Sequence, residues 1–189
     1  MRDKYEASVT ASKISSTFQK NLADYLTFSR IVISLIILTL ATIGAGVYIL
    51  VILLSFLGAL TDIYDGKIAR RYLGKDKEGK LGKHDITIDT VFISCIIGYL
   101  AFSYIIITPE IGIIWIVLVF MAFFITKADI RVLTVFEIIG VISILIITLI
   151  YNPLVFALLI APGMTFGIII NRRRLSQLFF HKWPDIFSR

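Results

Sequence analysis

Six strongly apolar stretches follow one another along the chain, separated by short polar connections. Their approximate bounds are 26–43, 47–60, 84–107, 111–126, 132–151 and 153–170. A helix that crosses the hydrocarbon core of a bilayer needs about 20 residues. The shorter stretches must therefore extend helically into their polar flanks, and we expect the second to continue as a helix to Arg71. The pattern predicts an all-α protein with six transmembrane helices and a turn at Gly44-Ala45-Gly46.

The segment before the first stretch has a different pattern. Residues 9–26 place apolar side chains at roughly helical spacing, with lysines and hydroxyls between them. This is typical of an amphipathic helix on the membrane surface, and the adjoining span favours that interpretation over a soluble docking helix. We therefore expect a juxtamembrane amphipathic segment at 1–25, a six-helix domain at 26–171 and a basic tail at 172–189.

Composition and charge support a membrane protein with one orientation. Of 189 residues 58% are hydrophobic, which is too apolar for an ordinary soluble domain. The connections near 44–47, 108–110 and 151–153 contain no Lys or Arg, so the 19 basic residues all fall toward the other side, with Arg30 at the start of the first span. The positive-inside rule then places both termini in the cytoplasm and the protein in the cytoplasmic (inner) membrane. Topology explains these cations, so anionic membrane lipids are expected partners and nucleic acid is not.

Four carboxylates lie where two apolar stretches meet this cytoplasmic side. Asp62 and Asp65 are three residues apart, and Asp85 and Asp89 are four apart, so each pair shares one helix face. Acids at a membrane boundary mark a functional site by default. Four like charges in a low-dielectric cleft repel unless a cation lies among them. Oxygen ligands select a hard divalent ion such as Mg²⁺ or Mn²⁺. Cys95 is the only cysteine, which excludes a disulfide or a thiolate metal site within one chain.

The acidic residues belong to a longer motif that resembles a known family. The CDP-alcohol phosphotransferases carry the signature D-x2-D-G-x2-A-R, a variable gap, and G-x3-D-x3-D. The first half matches in full at Asp62, Asp65, Gly66, Ala69 and Arg70. In the second half Asp85 and Asp89 have the family's separation.

The match departs from the family in two places. Only two residues separate Gly82 from Asp85 where the family has three, and Gly79 is an alternative for this glycine. Upstream, the stretch 26–30 resembles the family's N-x-L-T-x-x-R motif, with Asp24 in place of its Asn.

The resemblance implies a reaction and a cofactor. An alcohol would attack the β-phosphorus of a CDP-linked lipid, CDP-diacylglycerol or an ether analogue, and release CMP. Two divalent ions, Mg²⁺ or Mn²⁺, would be held by four aspartates. Asp62 and Asp85 would bridge both ions, Asp65 would complete the first, and Asp89 would bind the second and act as the general base.

The resemblance also implies contacts to the donor and a homodimer. Gly66 and Ala69 are small, so the cytidine could pack close to the helix, and Arg70 would bind phosphate. Asp24, Thr27 and Gly82 are further candidates for contact with the nucleotide or its phosphates.

The acceptor alcohol is less clearly indicated by the sequence. Lys127, Arg131 and Arg172 lie at the cytoplasmic ends of the last three predicted spans. If they face inward they form an anion pocket beside the acids, which favours a phosphorylated acceptor such as glycerol 3-phosphate or an inositol phosphate. Glu137 lies inside the fifth span, where a lone charge is costly, and its role stays open.

Two other classes also place acids in membranes. An intramembrane prenyltransferase uses Asp-rich motifs with Mg²⁺, but its first motif would want an acid near Ala69, and its fold needs more spans. A divalent-cation transporter is the non-enzymatic alternative, but its acids would be expected near the middle of the membrane. The sequence therefore favours the CDP-alcohol transferase.

Overall fold

The computed structural model describes residues 24–72, 85–167 and 169. All regular elements in these ranges are helical, and no strand occurs among them. The helices are α1 (24–40), α2 (Tyr48–Tyr72), α3 (Asp85–Phe102), α4 (Pro109–Ile125), α5 (Ile130–Tyr151) and α6 (Pro153–Gly167). The predicted all-α architecture is confirmed.

Three of these helices contain a stretch long and apolar enough to cross a membrane. The stretches are Ala45–Asp62, Asp85–Phe102 and Ile130–Tyr151, whereas α4 and α6 are apolar but shorter. The count of six spans therefore stays a prediction. The helix α2 continues through the first acidic motif to Tyr72, as predicted. The N-terminal amphipathic segment, the loop at 73–84 and the basic tail lie outside the described residues.

The turn between α1 and α2 depends on one glycine. Gly44 has φ +84°, a backbone region that is costly for residues with a Cβ. A short 3₁₀ turn, Ala45–Val47, then leads into α2. The hydroxyl of Tyr99 on α3 donates a hydrogen bond to the Gly44 carbonyl at 3.1 Å. This contact joins the C-terminal end of α3 to the α1–α2 turn.

The helix α3 is the centre of the described structure. Of its residues 61% are buried, against 22% in each of the other two candidate spans. A Cβ built on Gly112 of α4 would lie 2.4 Å from the Ala101 Cβ, so α3 and α4 approach very closely there. Trp115 of α4 also donates to the Ser94 hydroxyl at 3.2 Å. The second acidic pair is therefore carried by the most enclosed helix.

The predicted third span extended to about residue 107, but α3 ends at Phe102. The end is a Schellman motif, in which the Ile105 amide donates to the Leu100 carbonyl (2.8 Å) and the Tyr104 amide to the Ala101 carbonyl (3.0 Å). Tyr104 takes the left-handed conformation, φ +55°, that glycine usually fills. The helix α4 ends in the same way, with Lys127 in the left-handed position, φ +51°.

The chain divides into two compact units, Met1–Ile147 and Thr148–Arg189. The first contains α1 to α4 and most of α5. In the second, the Asn152 side chain accepts a hydrogen bond from the Val155 amide at 3.1 Å and caps α6. A π-helical turn, Phe156–Ile160, follows inside α6.

Candidate metal and active site

Three of the four predicted metal-binding aspartates come together in the first unit. Asp62 of α2 and Asp85 and Asp89 of α3 each offer a carboxylate oxygen, and these oxygens lie within 4.8 Å of one another. The two α3 residues share a face because they are four residues apart. Asp85 also lies in the first turn of α3, where the helix dipole favours negative charge. We call Asp62, Asp85 and Asp89 the carboxylate cluster.

The carboxylate cluster is partly exposed. The side chains of Asp62, Asp85 and Asp89 are 42%, 34% and 21% exposed. An ion or a phosphate can therefore reach the cluster, and Asp89 lies deepest of the three.

Among the residues that the structure describes, Arg30 of α1 is the cation that pairs with these carboxylates. It donates hydrogen bonds to Asp62 Oδ1 at 3.2 Å and to Oδ1 of both Asp85 and Asp89. Its side chain is only 1% exposed. A buried charge needs a partner, and the fork of a guanidinium can bind several carboxylate oxygens at once. One side chain thus connects α1, α2 and α3.

Sequence reasoning did not assign Arg30 to the site. The residue stood in the upstream stretch that resembles the family motif, but no role was given to it. One feature of the sequence pointed to it, since it is the only Lys or Arg within the predicted first span, 26–43. A charge inside a span requires a partner of opposite sign, and the acids of the next two helices provide three.

Glu137 of α5 lies beside the carboxylate cluster. It is partly buried and interacts electrostatically with Asp62, Asp85, Asp89 and Arg30. It is not one of the residues whose oxygens converge within 4.8 Å in the described part of the chain. The structure therefore places it next to the predicted metal ligands and outside their group.

The structure describes the remaining predicted residues, Asp65 and those expected to contact the donor, to different extents. Asp65, Gly66, Ala69 and Arg70 lie on α2, but their side chains are outside what the structure describes, and Gly82 is outside the described residues.

On α1, Thr27 is buried and Asp24 is partly buried. Thr27 is one turn before Arg30, on the same inward side of the helix.

The predicted acceptor pocket stays a prediction, because one of its three residues lies outside the described part of the chain. Lys127 and Arg131 are both exposed, and Arg172 lies outside the described residues. The Arg131 amide donates to Asp129 Oδ1 at 2.9 Å, so Asp129 caps the start of α5. The described ion pairs of the carboxylate cluster run to Arg30 and not to these two cations.

The carboxylate cluster fits a hard divalent ion. All of its donor atoms are carboxylate oxygens, which Mg²⁺ and Mn²⁺ prefer. Two oxygens on opposite sides of one Mg²⁺ lie about 4 Å apart. The observed spread of 4.8 Å therefore needs only a small movement of the side chains.

Comparison with known proteins gives one family. The sequence matches the CDP-alcohol phosphatidyltransferase family over residues 20–169, a range that includes every helix described above and the whole carboxylate cluster. No curated protein and no solved structure matches the chain. Members of the family are typically dependent on divalent metals, and the apolar helices agree with an integral membrane protein. The chain therefore belongs to the CDP-alcohol phosphatidyltransferase family, whose members transfer a phosphatidyl group from a CDP-alcohol to an acceptor.

Proposed function

We propose that the protein transfers a phosphatidyl-type group from a CDP-linked lipid, CDP-diacylglycerol or its ether analogue, to an alcohol and releases CMP. The observation that carries the proposal is the convergence of Asp62, Asp85 and Asp89 at the ends of the apolar stretches Ala45–Asp62 and Asp85–Phe102, in a chain of this family. Carboxylates and a diphosphate are all anionic, so this site needs cations to hold the donor. Membrane-edge placement suits a donor with its diphosphate at the headgroup level and its chains in the bilayer.

Four aspartates would hold the cations. Asp62 and Asp85 would bridge two divalent ions, Mg²⁺ or Mn²⁺, while Asp65 and Asp89 would each complete one of them. When bound, such ions neutralise the diphosphate and stabilise the charge that develops on the leaving CMP. Asp65 follows Asp62 by three residues in the sequence, a spacing at which two helical residues share a face.

Asp89 would also be the general base. It would take the proton of the acceptor hydroxyl as that oxygen forms a bond to the β-phosphorus. The bond between this phosphorus and the bridging oxygen breaks, and its electron pair leaves with CMP. Asp89 is the least exposed member of the carboxylate cluster, so fewer water molecules compete with the acceptor there.

Other residues would position the donor. Gly66 and Ala69 are small enough for the cytidine to pack against α2, and Arg70 would bind phosphate. Asp24, Thr27 and Gly82 would contribute contacts to the nucleotide or its phosphates.

We further propose a phosphorylated acceptor, glycerol 3-phosphate or an inositol phosphate. Lys127 and Arg131 lie around the α4–α5 connection, and Arg172 follows α6 in the sequence, so all three would face the cytoplasm in the predicted topology. Cations on that side of the membrane would bind the acceptor phosphate while its hydroxyl reaches Asp89.

The proposed setting is the cytoplasmic (inner) membrane. Six spans with both termini in the cytoplasm would put every Lys and Arg outside the spans on one side, and the site would face the cytoplasm. A homodimer is proposed from the family resemblance.

The test is CMP release by the purified protein. The assay combines a CDP-linked lipid, Mg²⁺ or Mn²⁺ and a panel of alcohols, and compares wild type with Asp89→Asn. Loss of a general base costs about 10²-fold to 10⁴-fold, so the variant should release CMP at least about 100-fold more slowly. Glu110→Gln, at the exposed start of α4, is the matched control and should retain activity. Pyrophosphate release would indicate a prenyltransferase instead, and ion flux without turnover a transporter.

A further inference from the structure

Glu137 has no assigned role in the reaction described above, although it lies on the inward face of α5. Leu133, four residues before it, is 1% exposed, and Gly140, three residues after it, is buried. Residues spaced by three and four share a helix face, so the carboxylate lies on the face that packs against the other helices of the first unit. If Glu137 faced lipid, it would lie on a different face of α5 from Leu133 and Gly140.

Contacts between α3 and α5 determine the depth of Glu137. A Cβ built on Gly140 would be 2.5 Å from Ile93 and 3.5 Å from Ile97, so α5 contacts α3 at this level. Ile97 also lines one cavity, of about 250 Å³, with Ser143 and Ile147 of α5, so the two helices run in the same direction.

This register brings Glu137 level with the deepest aspartate. Glu137 is three residues before Gly140, and Asp89 is four residues before Ile93. These intervals correspond to rises of about 4.5 Å and 6 Å, which nearly coincide. The electrostatic interactions of Glu137 with Asp62, Asp85 and Asp89 agree with this placement.

A carboxylate at this depth works against the stability of the fold. It repels the three aspartates, and burial of a charge within an apolar helix is costly. It also lies outside the group of oxygens that could bind one ion. Its position is beside Asp89, where an acceptor must place its attacking hydroxyl. The part of the acceptor next to that hydroxyl therefore comes within reach of Glu137.

We propose that Glu137 determines acceptor specificity by accepting a hydrogen bond from a second donor group of the acceptor. The carboxyl oxygens of Glu137 accept hydrogen bonds, so this group is a hydroxyl or an ammonium, carried near the attacking hydroxyl. Arg131 lies six residues before Glu137, about 9 Å along α5. A polyol phosphate could thus direct its phosphate toward the cytoplasmic end and a second hydroxyl toward Glu137. The inference rests on the proposed function and narrows its acceptor.

The test deletes the donor group from the acceptor and the carboxylate from the protein. Once the panel has identified the acceptor, an analogue without the second group is compared with it. For glycerol 3-phosphate the analogue is 3-hydroxypropyl phosphate; for an inositol phosphate it is the deoxyinositol phosphate; for an amino alcohol it is the alcohol without nitrogen. Both acceptors are assayed with wild type, Glu137→Gln and Glu137→Asp.

We expect the loss of kcat/KM caused by removing the second donor group from the acceptor to depend strongly on whether the Glu137 carboxylate is present. With wild type, kcat/KM for the analogue should be roughly 10-fold to 100-fold lower than kcat/KM for the natural acceptor. This is the size of effect expected from the loss of a hydrogen bond to a charged group. Glu137→Gln should show a similar loss with the natural acceptor and about 3-fold or less further loss with the analogue. The kcat/KM of Glu137→Asp with the natural acceptor should lie between the values for wild type and Glu137→Gln. The KM for the CDP-linked lipid should change little, which separates acceptor recognition from general damage. If kcat/KM falls when the nitrogen is removed from an amino alcohol, the group that Glu137 binds is an ammonium. If kcat/KM falls when a hydroxyl is removed from a polyol, that group is a hydroxyl.

Two other outcomes would contradict, respectively, the inference about Glu137 and the proposed function. If the analogue loses as much with the Gln variant as with wild type, Glu137 does not recognise that group and the inference is wrong. If the Gln variant does not fold, the same comparison with the Asp variant decides, because a shorter carboxylate must weaken the dependence on the second group. If wild type releases no CMP with any acceptor, the proposed function itself fails.

Discussion

Replacement of Arg30 with glutamine removes a buried cation that pairs with carboxylates of α2 and α3 from its place on α1. Asp62, Asp85 and Asp89 would then lose the guanidinium that pairs with all three of them. Removal of one partner from a fully buried ion pair costs about 3–5 kcal/mol, whereas an exposed pair contributes about 0–1 kcal/mol. Arg30 is buried, but its partners are 21–42% exposed. We therefore expect a loss of about 2–4 kcal/mol in the free energy of unfolding when no divalent ion is bound.

The loss should depend on divalent ions. Without Arg30 the carboxylate cluster carries more uncompensated negative charge and should bind a divalent cation more tightly. A ligand that binds only the folded state stabilises it in proportion to its affinity. Added Mn²⁺ or Mg²⁺ should therefore raise the Tm of Arg30→Gln more than that of wild type. Arg30→Lys keeps the charge but loses the planar fork, so its Tm should lie between them.

The measurement is thermal unfolding in detergent, followed by tryptophan fluorescence, with a chelator or with added Mn²⁺. For a chain of this length a change of about 1 kcal/mol in the free energy of unfolding shifts the Tm by about 2–4 °C. With the chelator, Arg30→Gln should unfold roughly 4–16 °C below wild type. Arg131→Gln, a change at an exposed arginine, is the matched control and should unfold with wild type. Equal Tm values for Arg30→Gln and wild type with the chelator, together with equal shifts in Mn²⁺, would refute the assigned role of Arg30.

Two further predictions concern helix packing and the acceptor. Gly112→Ala should lower the free energy of unfolding by about 1–3 kcal/mol because its Cβ would collide with that of Ala101, whereas Gly46→Ala, with no atom within 4 Å of the new Cβ, should unfold like wild type. Denaturant or thermal unfolding checks this, and equal stability of the two variants would contradict the close α3–α4 contact. Arg131→Ala should raise the KM for a phosphorylated acceptor far more than the KM for the CDP-linked lipid. Steady-state kinetics checks this, and equal effects on both constants would exclude the proposed phosphate contact.

The sequence predicts the helices well because hydropathy and spacing are local properties. The continuation of α2 to Tyr72 and the turn at Gly44 both follow from residues close together in the chain. The end of α3 does not, since the residues after Phe102 remain apolar and a non-glycine residue, Tyr104, takes the left-handed position. Composition contains no sign of that boundary.

The candidate site was predictable only in part for a related reason. The spacing of Asp85 and Asp89 indicates a shared face, but the partners of Arg30 are determined by which helices are neighbours. The position of Glu137 likewise depends on the contact of Gly140 with Ile93, which pairs residues 47 positions apart in the chain. No periodicity within one helix reports such a contact. A charge inside a span is recognisable from sequence as a residue that needs a partner, and the fold identifies the partner.

The hydrogen bond from Tyr99 to the Gly44 carbonyl has a consequence for where chemistry takes place. Ten residues separate Tyr99 from Asp89, so this contact fixes α3 about 15 Å from the deepest carboxylate. A helix anchored at that end cannot easily slide along its own axis relative to the α1–α2 turn. The height of Asp89 relative to the bilayer is then determined at the opposite end of α3. A lipid substrate, whose phosphates are held near one level by its hydrocarbon chains, would meet the carboxylates at a constant depth.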